Sequence, residues 1–185
     1  MKNLLFLTAL FFSSTFLHAQ DSNPWTVYMT PSEVHQRLSQ YTGNFTMEIA
    51  MSIETGKEPT IIVVNSEHKM LLGGRFLEMK QQGVMMGMDY QSIMTIGFNN
   101  IDRQMSLTTI TNMGSGTLSL IGEWEEQTKT ANLFGQLTNP LTKDIIKVRQ
   151  TLTFVDDNTI LIESYDTEAD QPEKKTIQYK LIRNK

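Results

Sequence analysis

The sequence predicts an all-β protein: a closed antiparallel up-and-down barrel of about ten strands, lipocalin-like, with one short N-terminal helix. Three observations carry that prediction. From Gly43 onward, segments rich in Ile, Val, Thr, Phe and Met alternate with turn signals, and the strand period of two recurs throughout. Prolines 24, 31, 59, 140 and 172 all fall outside the strand segments, where they would remove a ladder hydrogen bond. No helical crossover interrupts the series, which excludes parallel βαβ topology. Successive hairpins close most simply into a barrel, which leaves no exposed edge. A two-sheet sandwich is the alternative.

Residues 1–19 read as a signal peptide. Lys2 supplies the positive end, Leu4 to Leu17 form the apolar run, and Ala19 is the small residue before the cut. That run is too short for a hydrocarbon core, which needs about 20 residues. The expected mature chain is therefore exported, periplasmic or secreted, and carries no integral membrane segment. It lacks cysteine, which excludes disulfides, thiolate metal sites and a lipid-modified cysteine anchor. The chain has 16 basic and 20 acidic side chains with signs interspersed. No basic block marks a nucleic-acid or anionic-membrane partner.

Residues 20–42 form an N-terminal arm and short helix. Asp21 to Met29 reads as an extended arm pinned by Trp25. Thr30-Pro31-Ser32-Glu33 resembles a capping box, with proline at the first helical position. Val34, Leu38 and Tyr41 share one face, and the helix ends before Gly43. Residues 43–185 make the barrel domain.

Two hairpins can be placed in register. A three-residue turn centred on Asp157 sets Leu152 opposite Ile162 and Phe154 opposite Ile160, giving one apolar face. A simple two-residue turn would set Leu152 against Glu163 and mix the faces. Around Met85-Met86-Gly87-Met88, a four-residue loop pairs Met79 with Met94 and Leu77 with Ile96. Tyr90 and Phe98 join that face, and Arg75 falls opposite Phe98 at its end. Leu77, Met79, Tyr90, Met94, Ile96 and Phe98 thus form a candidate apolar stripe lining the interior. Arg75 is placed to hold an anionic head group, because its planar fork suits a carboxylate. The competing reading ties Arg75 to a carboxylate such as Glu78 or Glu163, or leaves it solvated.

Leu72-Gly73-Gly74-Arg75-Phe76-Leu77-Glu78, Gly83-Val84-Met85-Met86-Gly87, Asn112-Met113-Gly114-Ser115-Gly116, Val148-Arg149, and Glu163 with Tyr165 occur in an order that resembles a bacterial family of exported proteins. That family is the domain of unknown function numbered fifteen seventy-nine. The resemblance spans roughly His35 to Arg183 and implies a lipocalin-like barrel, with no catalytic residue to carry over. Phe45 and Thr109 stand near positions where the family usually has tryptophan.

The chemistry offered is sparse. His35 reads as a solvent-facing helix residue, and His68 is the one histidine placed for a cavity-facing haem ligand. No Gly-x-Ser-x-Gly turn or phosphate-cradling glycine loop accompanies them. All eleven methionines after Met1 lie between Met29 and Met113. Met85, Met86 and Met88 could be soft ligands for Cu(I). Alternatively, Met47, Met51, Met79 and Met94 fill a core while the loop methionines cover a barrel mouth. The functional expectation is an exported barrel that binds a small apolar or amphiphilic molecule, anionic if Arg75 serves it, with no cofactor. Its rival is a filled barrel acting as a non-catalytic protein-interaction module.

Overall fold

The computed structural model describes residues 23–52 and 57–185. The expected signal segment, residues 1–19, lies outside the described residues. Two short helices come first, α1 (Pro24–Met29) and α2 (Glu33–Ser39). Ten strands follow: β1 (Gly43–Met51), β2 (Thr60–Leu71), β3 (Phe76–Met85), β4 (Met88–Phe98), β5 (Gln104–Thr111), β6 (Thr117–Glu125), β7 (Thr130–Thr138), β8 (Ile145–Asp156), β9 (Thr159–Thr167) and β10 (Lys174–Arg183). Each strand pairs antiparallel with its sequence neighbours, and β1 pairs with β10 to close the barrel. The expected up-and-down barrel is the fold observed.

Register follows the hydrophobic alternation. Met79 lies opposite Met94 and Leu77 opposite Ile96. The loop between them is tighter than expected. Met85 pairs with Met88, so Met86 and Gly87 make a two-residue turn, both at positive φ as such hairpins require. Leu152 faces Ile162 and Phe154 faces Ile160, again as expected. Here the turn is also two residues, because Asp156 pairs with Thr159. A bulge at Val155 supplies the extra residue that keeps both apolar sets on one face.

The N-terminal segment corrects three expectations. Pro24 to Met29 is helical, not extended: Asn23 caps it by accepting from Trp25 N at 3.0 Å, and Trp25 stands exposed. The N-cap of α2 is Ser32, not Thr30, so Pro31 precedes the helix. His35 is buried, not solvent-facing. Its Nδ1 accepts from Ser32 N at 3.0 Å, taking the place that a glutamate fills in the usual capping box.

Helix α2 closes one end of the barrel. Val34, Leu38 and Tyr41 are buried, as their shared face foretold. Tyr41 packs on Phe154 at 4.7 Å between ring centroids and donates to Asp156 O at 2.9 Å. Trp124 meets Phe154 edge-on, and its Nε1 donates to Glu126, which also pairs with Arg37 of α2. The wall bends closely here. A Cβ on Gly122 would stand 1.8 Å from Asn132 O, so that position admits only glycine.

Candidate functional site

Because strands run alternately up and down, the start of β1 and the end of β2 lie at the end closed by α2. The end of β1 and the start of β2 lie at the other. Among the described residues no helix covers that second end. Its inner face carries Met51, Ile62, Leu118, Ile146 and Ile177, all half-buried and all packed against the core. Below this apolar ring the inward positions turn polar. Gln81, Ser92, Gln150 and Ser164 are buried, and Asp166 and Tyr179 half-buried.

Gln81 terminates a hydrogen-bonded chain whose directions can be worked out. Tyr41 O can only accept, so His68 Nδ1, 2.9 Å away, carries the proton. Burial holds His68 down to about 4, so the ring is neutral and its Nε2 accepts. Ser66 Oγ, at 2.8 Å, therefore donates to Nε2, and Ser66 in turn accepts from Gln81 Nε2 at 3.1 Å. Phe45 stacks on the His68 ring at 4.1 Å. Both imidazole nitrogens are thus occupied, which removes His68 as a free haem ligand. The far end of the chain, Gln81 Oε1, is buried without a partner.

The facing wall repeats the pattern. Strands β3 and β8 stand five apart in the ring of ten. On β8, Gln150 Nε2 donates to Ser164 Oγ at 3.2 Å, and Gln150 Oε1 is also buried and unpartnered. Asp166 continues this inward row on β9 opposite Val148, and burial raises its carboxyl above the usual range. Burial also drives the Tyr179 hydroxyl far up, with Tyr90 and Asp166 adding to the effect. Tyr90, Tyr179 and Asp166 therefore converge in the lumen. A buried polar group without a partner costs about 1–3 kcal/mol, so such a floor is kept against its own energetics.

The sequence-derived residues divide between the two ends. Leu77, Met79, Met94 and Ile96 point inward as expected and are fully buried in the core. Tyr90 reaches the polar floor. Phe98 sits under α2, its ring 6.0 Å from that of His35. Arg75 lies just before β3, at the α2 end and away from the open mouth. Its guanidinium donates to the carbonyls of Leu72, at 3.0 Å, and Met29. It is thus held by backbone oxygens, not by Glu78 or Glu163. A cleft of ≈ 350 Å³ does lie beside it, bounded by Tyr28, Met29, His35, Phe76 and Phe98. Of the seven expected residues only Arg75 and Phe98 line that cleft. Met85 is buried near the mouth, whereas Met86 and Met88 are more than half exposed at its rim.

Gln81, Gln150, Asp166 and Tyr179 were not singled out from the sequence. Their signal is a polar residue at an inward position of an otherwise apolar alternation, readable only once register is known. Among the described residues, no group of three or more His, Asp or Glu side chains is arranged to hold a metal ion. No helix there is long and apolar enough to cross a membrane.

Comparison with known proteins agrees with the fold. A crystal structure of Rv2717c from M. tuberculosis superposes with a TM-score of 0.57 at 15% identity, covering 84% of this chain and 100% of that one. No curated protein matches the chain. The family model described as "Protein of unknown function (DUF1579)" matches residues 30–183, nearly all of the barrel and its plug. With that match over most of its length, the chain belongs to the DUF1579 family.

Proposed function

We propose that this protein is an exported barrel that binds a small apolar or amphiphilic molecule in its lumen, entered from the end opposite α2. One observation carries the reading: an apolar mouth that no helix covers among the described residues leads to a buried polar floor with unpartnered oxygens, while the other end is plugged. Ligand sites are commonly apolar concavities with a few convergent polar groups that set orientation. Leu77, Met79, Met94 and Ile96 serve as the packed base of the site, and Tyr90 is the member of the sequence-derived stripe that meets the ligand. Export rests on the leader-like residues 1–19.

The test is a titration with Nile red, a neutral apolar dye. Ile146→Trp combined with Leu118→Trp fills the mouth and should weaken dye binding by about tenfold or more, equivalent to the loss of ~1.4 kcal/mol. Leu72→Ser, on the exposed turn at the plugged end, should leave it unchanged. Equal binding by the mouth variant would overturn the reading and leave the filled interaction module in its place.

A further inference from the structure

We propose that, within the binding reading above, the site selects amphiphiles whose head donates hydrogen bonds, an alcohol or a protonated amine, over carboxylates with the same tail. The assignment starts from Gln81. The proton directions from Tyr41 O through His68 and Ser66 fix its amide with Nε2 toward Ser66. Its unpartnered atom is therefore the carbonyl oxygen, an acceptor, in a side chain that is 2% exposed. On the facing wall Gln150 donates Nε2 to Ser164 Oγ at 3.2 Å and its Oε1 is also buried without a partner. A donor head satisfies such oxygens, whereas a carboxylate brings only further acceptors.

The surrounding charges agree. Asp166 is an acidic group on the inner face beside this floor, and Tyr179, on the neighbouring strand β10, lies close enough to both Asp166 and Tyr90 to feel their charge. Thr176 and Lys174 flank Asp166 from β10, and Lys174 is ion-paired to Glu168 at 3.2 Å on the rim. Arg183 lies at the plugged end, its guanidinium spent on the carbonyls of Thr42 and Gln40. An anionic head at the floor would meet both glutamine oxygens and the Asp166 carboxyl, while the neutral hydroxyls of Ser92, Tyr90 and Tyr179 offer it hydrogen bonds but no compensating charge. The apolar ring of Met51, Ile62, Leu118, Ile146 and Ile177 then receives the tail, so the molecule enters head first.

The experiment is Nile red displacement from the full mature chain at pH 7 by 1-octanol, octylamine and octanoate. Octanol and octylamine should compete about tenfold better than octanoate, the size of one hydrogen bond to a well-placed acceptor. Gln81→Met should reduce that preference severalfold, and Gln150→Met gives a second reading should the first variant fold poorly. Octylamine preferred without octanol would assign selectivity to Asp166 charge and overturn the role of the glutamines. Octanoate competing as well as octanol overturns the inference but leaves the binding reading intact. Failure of Nile red itself to bind removes both.

Discussion

The two ends of this barrel use the same strand alternation to opposite effect. At the α2 end, Phe154, Tyr41, Trp124, Leu38 and Phe45 fill the space between helix and wall, and the buried His35 and His68 rings are hydrogen-bonded, although Arg37 Nε and Asn100 Oδ1 stay unpartnered there. At the mouth, inward apolar residues stay half exposed and the floor beneath them keeps unpaired oxygens. The first end is packed between helix and wall; the second keeps its inward apolar side chains partly open to solvent. Inward polar side chains with an unpartnered atom therefore mark the mouth half of the barrel, whereas the longest apolar stripe belongs to its packed core.

Truncating one inward side chain at each end should have unequal effects. Phe154→Ala removes the ring shared by Tyr41 and Trp124 and should cost about 3–5 kcal/mol in denaturant unfolding. Ile177→Ala at the mouth should cost only about 1–2 kcal/mol, because that side chain is half exposed and its site can relax. Comparable losses at both ends would mean that the mouth is packed as tightly as the plug.

His68 sharpens the account of the plugged end through pH. Its folded value, about 4, lies below its ordinary 6.5, so the unfolded chain binds this proton more readily. Its contribution is therefore fully present above pH 6.5 and is lost as pH falls from 6.5 toward 4, by about 3 kcal/mol. Stability measured across that window should fall more steeply in the parent than in His68→Phe, while the buried His35, also held below its ordinary value, contributes to both. An identical slope in both would show that the proton goes to His35 or another group, not to His68.

Much of this was legible in the residues, and the failures have physical causes. Pairing of Leu152 with Ile162 and of Met79 with Met94 followed from alternation, since a one-residue slip would turn each apolar set to solvent. Helix α1 was missed because six residues carry no usable period. It is held from afar instead, by Asn100 Nδ2 donating to Val27 O at 2.8 Å and Thr30 O at 2.7 Å, and by Arg75 at Met29 O. His35 was misplaced because a histidine substitutes for the expected capping carboxylate. Which end of the barrel is plugged depends on where α2 folds back, and strand periodicity carries no trace of that.

The smallest expected effect concerns Asp166. Burial raises its folded pKa, so its favourable contribution is present below the ordinary carboxylate value and is lost as pH rises through the folded one. Asp166→Asn should therefore be at least as stable as the parent at pH 7, with the gap closing in acid. A clear loss of stability at pH 7 would show instead that the carboxylate is well compensated where it stands.

The methionines can report where along the barrel a ligand binds, because they are spread along its axis. Met51 and Met85 lie at the mouth, while Met70 and Met105 lie at the plugged end. Methyl-labelled methionine spectra recorded during a titration with 1-octanol should show shifts first and largest at Met51 and Met85, with Met70 and Met105 nearly unmoved. Shifts led by Met70 or Met105, or by the exposed Met29 beside the Arg75 cleft, would place the ligand at the wrong end and contradict the account.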